Sequence, residues 1–437
     1  MVTLFQPIDE LVRAELVLEL GIIATDFDGD STTGQLVVIA IDGNSPPGGE
    51  TGEITITEPD LVPNDYPAIG TVDIDVTAGI DRLDPDTVTI DTQQLAALLA
   101  ELNREVGSGQ QSLTFTYDSA TGVLIGRLAN GDVAVQISVE AVQGANGQDL
   151  VVTTTLTQLL PLDHLSGDSS GGAGGGSGNS SGFVQVNGEQ IVITVPIQAN
   201  DTDGDFLDDP VVVTLTINDG VIPAFGDDSG ASITDPDNVP GSGSSGENPP
   251  ISSATGTIPV DIGSDAINSV VFVDNDALAA VVASLTSNGR PVTYQVDDNT
   301  LTLFSQESGS PNPDTPAQAI LTVTIAENGT YTVVMTDAFD QPVDTNQVLL
   351  PVMVRVTDND GDSSESQITL TLIDGQDPSG GETATAINVE PDPAPDPDGN
   401  SNASGYPSTL STQWVITAGA DRLLPESVTL DPANSMP

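Results

Sequence analysis

The chain has 437 residues and a formal charge of −58, from 65 acidic side chains against seven arginines and no lysine. A negative electrostatic field repels nucleic acid and anionic membranes, so we expect neither as a partner. The same field attracts cations, and among these extracellular calcium prefers carboxylate oxygens. The chain has no cysteine, so disulfides are excluded, and no apolar run reaches the ~18 residues that would predict direct membrane insertion.

Alternating and periodic patterns predict the elements in chain order. Two amphipathic stretches, Leu95–Leu102 and Leu278–Leu285, have apolar residues at helical spacing, and each predicts one short helix. Alternation predicts strands after each helix. These lie at Leu113–Tyr117, Val133–Val139 and Leu150–Leu156 after the first, and at Val292–Val296, Ile320–Ile325 and Tyr331–Met335 after the second.

The same patterns return along the chain and predict an array of repeats. Residues 1–58 are interpreted as the C-terminal part of a preceding repeat, and residues 383–437 as the N-terminal part of a following one. Between them lie two complete repeats, 59–226, with a Gly/Ser insertion at 166–182, and 250–376. Pro-, Gly- and Ser-rich linkers are expected between the units. The predicted fold class is all-β, with tandem β-sandwich units and one short helix in each.

One motif, Asp-x-Asp-Gly-Asp, occurs three times, and each copy leads into a strand that closes in Asp-Gly. Clustered carboxylates repel one another by about 1 kcal/mol per pair in water, so their recurrence indicates a resident cation, for which calcium fits best. A solvated Asp/Gly-rich hairpin turn remains the alternative. The predicted calcium ligands are Asp26, Asp28, Asp30 and Asp42 in the first copy, Asp201, Asp203, Asp205 and Asp219 in the second, and Asp358, Asp360, Asp362 and Asp374 in the third.

A second motif, Thr77–Leu83, returns as Thr417–Leu423, with a diverged copy at Val260–Ile267. Its Asp81 and Asp421 are each followed by one of the few arginines. Two interpretations stay open, and the first is favoured. In one, the arginine neutralises local acids and packs its stem on a sheet. In the other, the two aspartates contribute to inter-domain calcium sites.

Signals for catalysis are weak. The only histidine, His164, lies in Leu162-Asp163-His164, and Thr345 replaces it in the second repeat. No nucleophile elbow accompanies it, and thiol and Schiff-base chemistry are excluded because cysteine and lysine are absent. The sole tryptophan, Trp414, is expected in a core strand. We therefore predict that the chain is not an enzyme.

Two stretches carry a resemblance to a known family. They are Leu350–Asp362 running into Ile368–Asp374, and Leu156–Gln158 followed by Leu162–His164. The sequence resembles the tandem repeats of giant RTX adhesins exported by type I secretion, which are grouped with VCBS-type repeats.

The resemblance implies extracellular, calcium-binding β-sandwiches of the Ig-like or cadherin-like kind that extend an adhesin from the bacterial cell surface. The expected function is a calcium-stiffened extender in attachment and biofilm formation. The alternatives are a module of the same adhesin that binds a peptide or glycan, and a subunit of an extracellular filament. Expected partners are calcium, neighbouring repeats of the same adhesin and a cell-surface or matrix ligand.

Overall fold

The fold is known from a computed structural model. It describes residue 3 and residues 15–41, 44–62, 64–164, 182–236, 251–287, 289–305, 318–341, 345–380, 384–387, 411–417, 419–420 and 426–429. The chain divides into two compact units. Unit 1 comprises Met1–Ala224 together with Ile262–Asn268 and Thr357–Ser363, and unit 2 comprises Phe225–Asp261, Ser269–Val356 and Ser364–Pro437.

The first element of unit 1 is an isolated antiparallel hairpin of β1 (Glu15–Thr25) and β2 (Ser31–Ile41). Most of its apolar side chains are exposed to solvent, from 42% at Leu36 to 70% at Ile23. The hairpin pairs with no other strand in the described part of the chain.

The body of unit 1 is a sandwich of two five-stranded sheets. One has the order β4-β11-β10-β9-β8, and the other has the order β12-β13-β14-β3 with β5 paired to β13. A two-stranded sheet of β6 and β7 follows helix α1. The elements are β3 (Thr51–Thr57), β4 (Ala68–Val76), β5 (Leu83–Ile90), α1 (Leu95–Glu105), β6 (Gly107–Ser108), β7 (Gln111–Ser112), β8 (Thr114–Asp118), β9 (Val123–Arg127), β10 (Val133–Gln143), β11 (Leu150–Gln158), β12 (Val184–Asn187), β13 (Gln190–Asp201) and β14 (Val211–Asn218).

The core of this sandwich lies between the sheets. Strand β11 buries every second residue, and β13 and β14 do the same, as expected for strands with one face against a core. Helix α1 contributes Leu98 and Leu102, both fully buried, so its apolar face packs into the same core.

Strand β3 pairs in parallel with β14. The repeat pattern did not predict this pairing, because β3 precedes residue 58, where the sequence analysis ends the preceding repeat. Gly52 lies so close to the other sheet that a Cβ there would meet the Ile74 side chain at 2.5 Å. The absence of a side chain at this position therefore lets the first strand of the sandwich approach the facing sheet.

Unit 2 repeats the sandwich with a four-stranded sheet, β16-β26-β25-β19, and a six-stranded sheet, β17-β24-β23-β22-β21-β20. Two small sheets, β15-β18 and β27-β28, accompany them. The elements are β15 (Ala224–Phe225), β16 (Ala231–Thr234), β17 (Ser252–Thr257), β18 (Val260–Asp261), β19 (Ile267–Val273), α2 (Asp276–Val282), β20 (Thr286–Ser287), β21 (Arg290–Asp297), β22 (Thr300–Ser305), β23 (Gln318–Ile325), β24 (Thr330–Met335), β25 (Gln347–Asp358), β26 (Ser363–Ile373), β27 (Ser379–Gly380) and β28 (Ile416–Thr417).

The predicted all-β fold, with one short helix in each unit, is confirmed, and both helices and all six predicted strands are present. Two predictions are wrong. The stretch from residue 227, interpreted as a linker, contains β16, which buries Ala231 and Ile233 and pairs in parallel with β26. Trp414 is 53% exposed because it precedes the two-residue strand β28, whose two-stranded sheet offers no core. The Gly/Ser insertion lies outside the described residues apart from Gly182.

Neither helix of the described part of the chain is long and apolar enough to cross a membrane.

Candidate metal centres

The three Asp-x-Asp-Gly-Asp segments form turns of the same geometry. In the second, the backbone N–H of Asp201 donates to the carbonyl of Asp205 at 3.0 Å, and the Asp201 carboxylate accepts from the N–H of Gly204 and of Asp205. Gly204 has φ +104°, a left-handed conformation that favours glycine. The first aspartate and the glycine of each motif therefore build the turn, as the hairpin alternative proposed. The second and third aspartates of each motif are not needed for this turn.

Asp81 joins the second turn. The start of β5 pairs with the end of β13, Leu83 opposite Asp201, and the Arg82 carbonyl accepts a hydrogen bond from the N–H of Thr202 at 2.9 Å. This register brings the carboxylates of Asp81, Asp201 and Asp203 within 4.8 Å of one another, with the first two buried. Asp81 therefore belongs to a carboxylate group within unit 1, so a calcium site here would lie inside one unit and not between domains, and calcium binding itself stays a prediction. Arg82 itself is exposed.

An equivalent group contains Asp219, Asp265 and Asp360, all within unit 1. Asp265 occupies the position of Asp81 in the diverged copy of the second motif, and Asp360 that of Asp203 in the third turn. Asp265 is 3% exposed and Asp360 is 8% exposed. The same two motifs therefore meet twice, and each time they assemble three carboxylates from separate parts of the sequence.

Two of the closing aspartates, Asp219 and Asp374, do not join the turns of their own motifs, contrary to the sequence interpretation. The antiparallel register pairs Asn218 with Gln190, so Asp219 lies at one end of β13 while Asp201 lies at the other, roughly 36 Å away. Asp374 likewise follows the end of β26, where its N–H donates to the carbonyl of Asn346. Asp219 instead completes the group of the next motif.

The other aspartates of the two motifs have different outcomes. Asp26, Asp28 and Asp30 lie together but are fully exposed, and the Asp28 side chain lowers the pKa of Asp26. Asp205 lies outside the compact groups. Asp42 and Asp421 lie outside the described residues.

Asp358 and Asp362 flank the second group. The carboxyl of Asp358 contacts that of Asp360, and the carboxyl of Asp362 contacts that of Asp219. With Asp265, five aspartates of unit 1 are therefore linked by neighbouring carboxylates.

Burial and mutual repulsion raise the pKa values in this second group. The pKa of Asp265 rises to about 8, first through burial and then through the charges of Asp360 and Asp358. The pKa of Asp358 also rises to about 8, through burial and its contact with Asp360. Asp362 rises to about 6, through burial and the neighbouring Asp219. The three raised pKa values are those expected of buried carboxylates with no positive charge beside them.

The donor set suits calcium. Three carboxylates offer up to six oxygens, the ion accepts six to eight in loose geometry, and backbone or water oxygens complete such shells. Within the second group, the buried Oδ1 of Asp360 has no hydrogen-bond partner, which a cation would satisfy. Asp219, Asp265 and Asp360 would hold the ion in one group, and Asp81, Asp201 and Asp203 in the other.

Two further residues lie near the second group and were not predicted as possible ligands from the sequence. Glu58, at the end of β3, and His164, after β11, are 3% and 1% exposed, and both approach Asp219. His164 was considered only for catalysis. Its replacement by Thr345 in the second repeat was the one available signal that its role is specific to unit 1.

No known protein family matches the sequence, and no curated protein matches it. Solved structures superpose in part. The zebrafish RET cadherin-like domains 1 to 4 align with a TM-score of 0.22 and 11% identity, over 82% of this chain and 57% of that one. Protocadherin gamma C5 EC1-3 aligns with a TM-score of 0.21 and 12% identity, over 83% of this chain and 78% of that one. A mutant of the CFA/I adhesin CfaE of enterotoxigenic E. coli aligns with a TM-score of 0.23 and 11% identity, over 76% of this chain and 99% of that one.

The chain therefore spans less than two thirds of the RET structure's length. Because these identities and TM-scores are low, the fold is defined by the chain's own strand pairing.

Proposed function

We propose that the chain is a calcium-binding, non-catalytic structural segment of a secreted or cell-surface adhesin. The observation that carries the proposal is the second assembly of the same two motifs. Asp81 meets Asp201 and Asp203, and Asp265 meets Asp360 and Asp219. A hairpin turn alone does not require an aspartate from a distant segment to be buried beside two others, whereas a divalent cation does.

Calcium binding to these groups would stiffen the sandwich because each group ties separate segments together. In the second group, Asp219 and Asp360 are far apart in sequence, and one ion would hold both to Asp265. Extracellular calcium modules bind with dissociation constants of roughly 10⁻⁴–10⁻³ M, so the segment would be rigid outside a cell and loose inside it. The resemblance to RTX adhesin repeats supports a role in attachment and biofilm formation.

The test is thermal unfolding of the full chain with a chelator and with increasing calcium. At about a hundredfold excess over the dissociation constant, each site adds ~2.7 kcal/mol to the free energy of unfolding. For a unit of this size, that corresponds to a rise in Tm of roughly 5–10 °C. A Tm that is identical in chelator and in millimolar calcium contradicts the proposal.

One variant, Asp265→Asn, sharpens the test. Asp265→Asn removes a buried, repelled charge, so we expect it to raise the Tm in chelator and to abolish the calcium-dependent gain of the second group. Destabilisation by misfolding would lower both values, which separates the two explanations. Asp297→Asn, at an exposed position ending β21, is the matched control and should change neither value.

A further inference from the structure

His164 presents a bare imidazole nitrogen in the interior of unit 1. Its Nε2–H donates to the backbone carbonyl of Ile217 at 3.3 Å, which leaves the lone pair on Nδ1. Nδ1 is buried and makes no hydrogen bond, and the nearest charged atom, Oδ2 of Asp360, lies 3.9 Å away. His164 is 1% exposed, so no bulk water reaches Nδ1, and its lone pair is available to a metal ion.

Glu58 lies beside the His164 ring, and one of its carboxylate oxygens is already hydrogen-bonded. Its Oε1 accepts hydrogen bonds from the Gln158 amide and from the N–H of Leu162, the latter at 2.9 Å. Its Oε2 is buried and has no hydrogen-bond partner. A ring nitrogen of His164 and carboxylate oxygens of Glu58 and Asp219 all lie within 4.8 Å of one another.

The chemistry of this donor set differs from that of the carboxylate groups. Calcium and magnesium take oxygen ligands, whereas imidazole nitrogen suits zinc and the neighbouring first-row divalent metals. A histidine that donates its other ring N–H to a backbone carbonyl is the usual arrangement of a metal-binding imidazole, because that bond fixes both tautomer and orientation. Tetrahedral zinc ligands lie roughly 3.3 Å apart, so the three groups need to close by no more than about 1.5 Å.

We propose that Glu58, His164 and Asp219 form a mixed nitrogen–oxygen site for a divalent transition metal of the zinc class. Asp219 is shared with the carboxylate group of Asp265 and Asp360, so the two sites are neighbours. The proposal does not depend on calcium binding, because the imidazole nitrogen of His164, which the carboxylate group does not contain, selects the metal.

Unit 2 provides an internal comparison. Asp235 follows β16 as Glu58 follows β3, is 2% exposed, and accepts a hydrogen bond from the Gln341 amide, as Glu58 does from Gln158. The position of His164 is taken by Thr345. The acid and amide are therefore repeated while the nitrogen ligand is not, and only unit 1 should select a zinc-class metal.

The first experiment uses the single histidine as a probe. In the untagged, ¹⁵N-labelled full chain, the imidazole resonances need no assignment because no other histidine exists. With calcium already saturating, one equivalent of Zn²⁺ should shift the Nδ1 resonance, and further calcium should not. An Nδ1 resonance that is unchanged by zinc overturns the proposal.

The second experiment measures zinc affinity by calorimetry in the presence of calcium. His164→Thr, which introduces the residue of unit 2, should weaken zinc binding at least tenfold, and Glu58→Gln should weaken it as well. Asp297→Asn should bind zinc as the parent chain does. Equal zinc affinity in His164→Thr and the parent overturns the proposal.

Calcium-dependent stabilisation measured on the same samples separates the two proposals. His164→Thr should keep the calcium-dependent rise in Tm, which also shows that the variant folds. Loss of zinc binding with calcium stabilisation retained supports the mixed site. A chain that binds zinc through His164 and ignores calcium would refute the calcium proposal alone.

Discussion

At the scale of single residues, each Asp-x-Asp-Gly-Asp motif has two separable parts. Asp201 and Gly204 hold a hairpin turn, through the hydrogen bonds to the Asp201 carboxylate and the positive φ of the glycine. Asp203 instead meets Asp81. The sequence predicted the motif and its oxygen chemistry, but the wrong companion acids, because strand register decides which carboxylates meet and the repeat pattern does not reveal register.

Gly263 is the residue whose shape most directly positions a predicted ligand. It has φ +65°, and a Cβ there would lie 2.0 Å from the carbonyl oxygen of Val221, the acceptor for the N–H of Ser264. We expect Gly263→Ala to lower the free energy of unfolding by at least about 2 kcal/mol and to weaken calcium binding, because Asp265 is two residues away. Calorimetric calcium titration and denaturant unfolding measure both effects.

Gly131→Ala is the control for that variant. Gly131 also has positive φ, +98°, but open space surrounds its Cβ position. It should show only the cost of backbone strain, with calcium affinity unchanged. Equal effects of the two substitutions on calcium affinity would show that Gly263 does not position Asp265.

At the scale of elements, periodicity predicted what lies within a repeat. The helix at Leu95 and the strands β10 and β11 were found because long apolar patterns identify their buried faces. Strand β16 was missed because four residues among glycines and aspartates carry too short an alternation. The parallel pairing of β3 with β14 was missed because sequence patterns specify faces and not neighbours.

The hairpin of β1 and β2 should be the least protected element of regular structure. Most of its apolar side chains are exposed, whereas β25 and β26, also neighbours in a sheet, bury Val352, Val354 and Leu370 completely. An isolated two-stranded hairpin is marginally stable in water, so its amides should exchange with solvent far faster than those of β25 and β26. Hydrogen exchange followed by mass spectrometry provides the measurement, and equal protection of the two pairs would contradict this expectation.

At the scale of the whole molecule, repulsion between negative charges is the main destabilising contribution. A net charge of −58 destabilises any compact state through self-repulsion, and the acids of unit 1 concentrate it in the interior. The sequence predicted this charge repulsion, and relief of it by a bound cation stays a prediction. It could not predict that Glu58 and His164 would lie beside the acids, because each comes from a different strand end.

This repulsion predicts how stability depends on pH when calcium is removed. The pKa of Asp265 is about 8 in the folded chain against 3.8 for the ordinary side chain, so folding takes up a proton between these values. In chelator, the Tm should therefore rise as the pH falls from 8.5 to 5.5. Scanning calorimetry at constant ionic strength measures this dependence.

Two comparisons test the cause of that dependence. Asp265→Asn should flatten the pH dependence in chelator, because it removes one of the titrating groups. Saturating calcium should flatten or reverse it in the parent chain, because protons and calcium compete for the same oxygens. A Tm in chelator that falls on acidification over this range would show that the buried acids are not the source of instability.

The parallel pairing of β3 with β14 determines how unit 1 responds to tension. β3 is the first strand of the sandwich and β14 the last, and seven residue pairs join Thr51–Thr57 to Val212–Asn218. A pull on the chain from before β3 and after β14 drags the two strands past each other, so their hydrogen bonds resist together in shear instead of opening one by one. In unit 2 the corresponding clamp between β16 and β26 has four pairs, Ala231–Thr234 with Leu370–Ile373, so that unit is the one that yields first under load.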